Sequence, residues 1–271
     1  MPNGIIIIDK PAGWTSMDVC AKLRGILREK RVGHGGTLDP MATGVLPVFV
    51  GQATRAVEFA ENSRKEYVAG LRLGQVTNTQ DTSGETLETH PVTASRADVE
   101  IALGRFLGDI QQIPPMYSAI KINGQKLYDL ARKGKEVERK PRSITIYELE
   151  LLEQVSETDY LLRCVCSKGT YIRTLCHDIG QALGCGGTLY SLRRTRSRRS
   201  SGELMRGQGM PVSTSFGTRS KVNTAGTAPR AAATSTVRRS RAAWPRWTPS
   251  KKPRAMTFSF VDISFTLQRS S

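Results

Sequence analysis

The chain has 271 residues, 38% of them apolar, and a formal net charge of +16. That length allows one large domain or two small ones of about 100–200 residues each, with enough apolar residues for a sizeable core. The charge is uneven, since residues 198–271 hold 14 Lys/Arg against 2 Asp/Glu while the first 197 hold 26 against 22. The extreme basicity therefore belongs mostly to the tail, and nucleic-acid binding by the front part must rest on where its charges sit. No apolar run approaches the roughly 20 residues that span a bilayer. Residues 4–8 are too short an apolar run, and too close to Asp9 and Lys10, for a signal peptide. A soluble, cytoplasmic protein is expected. The five cysteines, Cys20, Cys164, Cys166, Cys176 and Cys185, are an odd number without framework spacing, which suits a reducing compartment.

Residues 4–9 open with four isoleucines and read as a buried strand. Lys10-Pro11-Ala12-Gly13-Trp14 is a turn. Ser16 is the expected N-cap of a helix whose Val19, Leu23, Ile26 and Leu27 share one face. Residues 33–40, Gly-His-Gly-Gly-Thr-Leu-Asp-Pro, should form a rigid loop that presents Asp39, because Pro40 keeps Asp39 out of helical geometry. By itself this loop is most simply a surface turn with a solvated acid. Residues 43–50 read as a strand, 53–60 as a short helix, 66–73 as a strand carrying Tyr67, and 74–88 as a polar loop. Ser95 and Asp98 have capping-box character and start a helix to about residue 106. Pro114-Pro115 breaks the chain. A short helix over 126–133 follows, then a strand pair at 144–152 and 160–166, a helix over 170–183 and a last strand at 188–195. After Ser197 the sequence turns Ser/Thr/Ala/Arg-rich, with no apolar period until Phe258-Ser259-Phe260, a composition that argues for disorder.

Several chemistries are weak on these residues. Gly33-x-Gly35-Gly36 follows a helix and lacks the Gly-Lys-Ser/Thr of a nucleotide loop. Cys164, Cys166, Cys176, His177 and Cys185 lack the paired spacing of a structural zinc site, and alternate strand cysteines are more simply core. Cys176 and His177 are neighbours on a helix and do not face each other. No second acid pairs with Asp39 in the manner of a glycosidase. The stretch 117–142 carries Lys121, Lys126, Arg132, Lys133, Lys135, Arg139, Lys140 and Arg142 interleaved with Tyr117 and Tyr128. Such a stripe suits a phosphate backbone with rings for stacking, or else a solvated charged loop.

Taken together, the motifs closely resemble one family. Asp9 to Ser16, then Gly33 to Pro40 with Met41-Ala42-Thr43-Gly44-Val45-Leu46, then Lys65-Glu66-Tyr67, are similar to the TruB-type tRNA pseudouridine synthases. So are Pro114 to Lys121, Ala131-Arg132-x-Gly134, Gly169-Thr170-Tyr171-Ile172-Arg173 and Leu192-Arg193-Arg194. The resemblance covers about residues 3–197, in family order. It implies an α/β (α+β) catalytic domain over 1–197, built on a mixed, largely antiparallel sheet, with an RNA-gripping insertion at about 114–142. It implies isomerisation of uridine 55 in the T-arm of tRNA to pseudouridine, with neither metal nor cofactor. Asp39 matches the catalytic carboxylate and Arg173 the arginine that pairs with it. His34, Tyr67, Tyr171 and Leu192 match substrate-pocket positions: Tyr67 stacks on the flipped base, and His34 contacts the RNA near the vacated place. Lys121, Lys126, Arg132, Arg139 and Arg142 are the expected grip on the RNA backbone. Without the resemblance, Arg173 reads as a structural ion pair, Tyr171 and Leu192 as core, and His34 as a locally bonded loop residue.

The sequence departs from the family after Ser197. Residues 198–271 form a basic low-complexity tail, expected to be disordered or to arise from a shifted reading frame. Partners are expected to be tRNA, with no membrane and no metal, and the chain is taken as a monomer. A rival reading is an RNA-binding protein or chaperone that the altered C-terminus has left without catalysis. A third, a ribosome-associated basic protein, explains the tail but not the placement of Asp39, Tyr67 and Arg173.

Overall fold

A computed structural model of the chain describes residues 2–198, 204–206 and 258–261. β1 (Gly4–Lys10) carries the four isoleucines. Ile6 and Ile8 join the main core, and Ile5 and Ile7 join a second cluster with Val45, Phe49 and Ala60. A strand covered on both faces has no need of alternation, which is why it reads as a continuous apolar run.

α1 (Ser16–Leu27) is capped by Thr15, not by Ser16 as expected. Thr15 and Asp18 form a reciprocal capping box, with Thr15 Oγ1 accepting from the Asp18 N–H at 3.0 Å and Asp18 Oδ2 from the Thr15 N–H at 2.9 Å. Ser16 is thereby released for another task. Its hydroxyl accepts from the Leu38 N–H at 2.9 Å and reaches the Leu38 carbonyl at 3.2 Å.

β2 (Val32–His34) pairs antiparallel with β3 (Thr43–Val50), so Gly33 and His34 are strand residues and the loop proper begins at Gly35. A 3-10 turn (Gly51–Ala56) runs into α2 (Val57–Glu61) where a single helix was expected. β4 (Arg64–Leu73) carries Tyr67. The expected loop 74–88 contains a small hairpin, β5 (Gln75–Thr77) with β6 (Thr86–Thr89), whose polar strands hide its pattern. α3 (Arg96–Gly104) has the expected Ser95–Asp98 capping box. β7 (Gly108–Gln112) was not anticipated, since an edge strand needs no apolar alternation.

β8 (Lys121–Ile122) and β9 (Gln125–Lys126) form a second hairpin, turning through Asn123 and Gly124 at positive φ. Asn-Gly is the usual signature of such a turn. α4 (Leu127–Ala131) is shorter than the expected 126–133. Then follow β10 (Arg142–Gln154), β11 (Asp159–Cys166), α5 (Ile172–Ala182), β12 (Gly187–Arg198), β13 (Leu204–Arg206) and β14 (Phe258–Val261).

The main sheet runs β14-β1-β3-β12-β4-β11-β10-β7, with β2 added to β3 and β13 to β12. Among the described residues only the β3–β12 strand pairing is parallel, and it is short: Arg193 opposite Thr43 and Arg194 opposite Gly44. The fold is thus mixed and largely antiparallel, as the sequence implied. Helices α1, α3 and α5 pack on one face through Val19, Cys20 and Leu23, Val99 and Leu103, and Leu175, Cys176 and Ile179. All five cysteines are free and buried, with Cys164 and Cys166 in the main core. Among the described residues no helix is long and apolar enough to cross a membrane. The expectation of a structureless or frame-shifted tail falls mostly outside the described residues. Within it, β13 and β14 are strands of the sheet, and β14 lies antiparallel to β1 with Phe260 opposite Ile6.

Candidate active site

Asp39 lies on the loop that joins β2 to β3, and other elements grip that loop along its whole length. The Gly35 N–H bonds the Pro47 carbonyl at 2.8 Å. Leu38 is tied to Ser16 and its side chain is 3% exposed. The Pro40 carbonyl accepts from the Gly13 N–H at 2.8 Å and from Lys10 Nζ at 3.2 Å. The Ala42 N–H closes a turn onto the Asp39 carbonyl at 3.0 Å. Asp39 itself keeps 34% of its side chain exposed. A reactive carboxylate is thereby held on a fixed backbone while remaining open to solvent, which is what precise positioning requires.

Arg173, in the first turn of α5, is the carboxylate's neighbour. Its Nη2 lies 3.5 Å from Asp39 Oδ1 and donates to the Tyr117 carbonyl at 2.7 Å. Its Nη1 faces a second acid, Asp81, at 3.9 Å from Oδ2. Asp81 is buried in the β5–β6 turn, where it accepts from the Ser83 N–H at 2.9 Å and from Thr79 Oγ1 at 2.8 Å. The guanidinium therefore sits between an open carboxylate and a closed one. Asp81 was missed from sequence. Its only signal was a turn-type Asp-Thr-Ser-Gly run, which does not reveal a buried ion partner.

Two further cations and two rings complete the site. Lys10 is fully buried, and its Nζ donates to the carbonyls of Pro11, Trp14 and Pro40. Burial pushes its ammonium down to about 8, and the nearby Asp39 charge opposes that shift. Tyr67 is 8% exposed. Burial pushes its phenol up to about 12, while the nearby Arg194 charge works the other way. Arg194 is itself 1% exposed and donates to the Val45 carbonyl at 2.7 Å and the Gly36 carbonyl at 3.2 Å. Tyr171 is the N-cap residue of α5. Gln112 holds its backbone on both sides, accepting from the N–H at 2.8 Å and donating to the carbonyl at 3.1 Å. The Tyr171 ring lies 5.9 Å from the Arg173 guanidinium carbon. Burial raises its phenol pKa, and the nearby Arg173 charge works the other way.

Beside this constellation, next to the two parallel pairs of β3 and β12, lies a cavity of about 410 Å³. Met41, Thr43, Ser83, Tyr190, Leu192 and Arg193 are among its walls, so it adjoins both the Asp39 and the Asp81 loops. Of the residues singled out from sequence, Asp39, Arg173 and Tyr171 come together directly. Tyr67 lies on β4 opposite Arg194, whose side chain bonds the Gly36 carbonyl of the Asp39 loop, and Leu192 lines the cavity. His34 ends β2, opposite Val48, at the start of the Asp39 loop.

The basic insertion stands apart. Lys121 and Lys126 face each other across the β8–β9 hairpin, and Lys126 and Arg132 flank the Tyr128 ring at 5.2 and 5.5 Å. With Lys133 they line an open cavity of about 510 Å³. Arg142 is exposed at the start of β10. Arg139 is tied down, donating to the Pro114 carbonyl at 3.1 Å and to Glu136 at 2.8 Å, so it braces the insertion.

The chain matches two family models. Residues 24–172 match the TruB family pseudouridylate synthase N-terminal domain, and residues 173–206 match the tRNA pseudouridylate synthase B C-terminal domain. The match runs past Ser197, where the sequence resemblance was read to stop. Over 195 residues the chain is 53% identical to a protein of Alkaliphilus oremlandii and 53% identical to one of Pseudomonas putida, both named tRNA pseudouridine synthase B. These alignments cover 72% of this chain but only 65% and 64% of the relatives, so the chain spans less than two thirds of their length. Among solved structures it resembles the crystal structure of a Cbf5-Nop10-Gar1 complex, with a TM-score of 0.57 and 37% identity over 72% of this chain and 48% of that one. It also resembles an H/ACA RNP bound to a substrate RNA containing 2'-deoxyuridine, with a TM-score of 0.53 and 34% identity over 72% of this chain and 47% of that one.

Proposed function

The chain belongs to the TruB family of pseudouridylate synthases, and from that premise we propose that it is a tRNA pseudouridine synthase that isomerises uridine 55 of the T-arm. The observation that carries this reading is the Asp39–Arg173 pair, 3.5 Å apart, with Asp39 on a tightly bonded loop, Arg173 on α5 and a cavity beside them. The reaction breaks the N1–C1′ bond, turns the base and forms a C5–C1′ bond. C5 gives up its proton and N1 gains one, so no oxidant or other co-reactant is needed. Asp39 is the group for nucleophilic or basic attack on the ribose or the base. Arg173 pairs with its negative charge, and Asp81 and the Tyr117 carbonyl hold Arg173 in place.

A uridine within a folded arm is reached only by flipping it out. Tyr67 offers the ring on which it stacks, with Tyr171 and Leu192 as further walls. His34, at the foot of the Asp39 loop, is placed to contact the RNA that the base leaves behind. Lys121, Lys126, Arg132 and Arg142 grip phosphates on the insertion, with Arg139 as its brace. Action as a cytoplasmic monomer belongs to the same proposal. The rival reading, RNA binding without catalysis, is not favoured, because Asp39, Arg173, Tyr171 and Tyr67 keep a connected arrangement.

The test is pseudouridine formation in a T-arm hairpin by the full chain and by Asp39→Asn. Activity in the former, abolished in the latter with hairpin binding retained, is expected. Loss of binding equal to the loss of turnover would remove Asp39 from the chemistry.

A further inference from the structure

We propose that Arg139, unlike the other cations of the insertion, is a positioning residue for the chemistry: it pins the strap from Pro114 to Tyr117, whose last carbonyl holds Arg173 beside Asp39. The inference rests on the reading of Asp39 and Arg173 given above and extends it into the insertion.

Residues 112–120 run from the end of β7 to the start of β8, and the N-terminus of α5 rests on them. Gln112 accepts from the Tyr171 N–H at 2.8 Å and donates to the Tyr171 carbonyl at 3.1 Å. The Tyr117 carbonyl accepts from Arg173 Nη2 at 2.7 Å. Between these two contacts stand Pro114 and Pro115, both buried. Their fixed φ stiffens the strap, so a shift at Pro114 is carried on to Tyr117. Neither proline has an N–H to bond, and Pro114 lies between strands, so its buried carbonyl needs a donor from elsewhere. Arg139 Nη1 is that donor, at 3.1 Å. Beyond Tyr117 the strap is held by α4: the Tyr128 N–H donates to the Ser118 carbonyl at 3.1 Å and the Leu127 N–H to the Ile120 carbonyl at 2.8 Å. Tyr117 lies between the two anchors, and its carbonyl meets the arginine that faces Asp39.

Arg139 is turned inward. Its side chain is 21% exposed, its Nε is buried with no hydrogen-bond partner among the described residues, and its Nη2 donates to Glu136 at 2.8 Å. A guanidinium so placed has little left to offer a phosphate, whereas Lys121 and Arg132 are exposed. Glu136 is itself exposed and only three residues away, so that ion pair orients the fork and adds little more. The bond to Pro114 is of another kind, since it joins residues 25 apart and ties the far end of the insertion back to its start. A planar fork serves the carboxylate and the carbonyl at once, which a single ammonium does not.

The experiment compares the full chain with Arg139→Met, Arg139→Lys and Glu136→Gln. Single-turnover pseudouridine formation at saturating T-arm hairpin is measured beside thermal melting and hairpin Kd over a range of salt. Arg139→Met removes the donor and should slow the step at least about tenfold, with Kd within about threefold. Arg139→Lys keeps the charge, but its ammonium goes to the Glu136 carboxylate before a neutral carbonyl, so the step should slow at least about fivefold. Glu136→Gln leaves the Pro114 bond and should stay within about twofold. In all three the slope of log K against log salt should change by less than about 0.3, where a lost phosphate contact would take away about 1. An unchanged rate in Arg139→Met or a slope lowered by about 1 would overturn the proposal. So would Glu136→Gln as slow as Arg139→Met, or rate, affinity and melting temperature falling together. If Arg139→Met does not fold, Arg139→Lys decides, and a rate within about twofold of the unaltered chain there overturns it. If the unaltered chain makes no pseudouridine, the activity reading fails by itself. The Arg173 side-chain resonances of the 15N-arginine-labelled chain then decide: a shift between the unaltered chain and Arg139→Met keeps the link, and no shift overturns it.

Discussion

The loop of Asp39 and the insertion at 114–142 are both surrounded by cations, yet they use them in opposite ways. Around Asp39 the cations are buried: Lys10, Arg173 and Arg194 are 0%, 6% and 1% exposed, and most of their hydrogen bonds go to backbone carbonyls. On the insertion, Lys121 and Arg132 are exposed, and Arg132 lies over the Tyr128 ring. Buried cations feel little ionic screening and fix geometry, whereas exposed ones give attraction that salt removes. The same residue types thus build a rigid frame in one place and an adjustable grip in the other.

The sharpest way to break that contrast is Asp39→Asn. Single-turnover pseudouridine formation should fall at least about a thousandfold, with hairpin affinity changed less than about threefold. If affinity fell in step with rate, the two regions would not be separate devices.

Asp81→Asn tests the buried side more finely. It leaves Arg173 with one charged partner, and an Asp39 facing a less constrained guanidinium should turn over about ten- to a hundredfold more slowly. Normal turnover would make Asp81 a turn-former only.

On the insertion, replacing Lys121, Lys126 and Arg132 together by alanine should weaken hairpin binding and lower the slope of log K against log salt by about 2–3. The rate at saturating hairpin should stay near that of the unaltered chain. A changed saturated rate would mean that the grip also shapes the site.

The smallest expected effect concerns Lys10. Its folded pKa is about 8 against 10.5 unfolded. Between those values the unfolded chain binds more protons, so stability should rise with pH through that window. Lys10→Met should flatten the rise in pH-dependent melting, and an unchanged slope would assign it to other groups.

Much of the frame was legible without coordinates, and the particulars show why. β1 and β3 are apolar runs that read as buried strands, and β4 shows the in-and-out burial of a strand. Ser95 and Asp98 cap α3 through contacts three residues apart. The Thr15 cap was misplaced by one position, because two hydroxyl residues stand side by side and the choice lies with Leu38, which claims Ser16. β5, β6 and β7 were not legible, because polar edge strands carry no apolar period.

Local order along the chain therefore determined the strands, the capped helices, the family and the residue types of the site, since propensity, alternation and motif spacing are properties of neighbours. Only the tertiary structure decided that Gln112 grips Tyr171, that Asp81 stands across Arg173 from Asp39, and that Arg194 bridges Gly36 and Val45. Those contacts join residues far apart in sequence. A buried polar group takes whichever partner the packed sheet brings within about 3 Å, and the chain order does not record which partner that is.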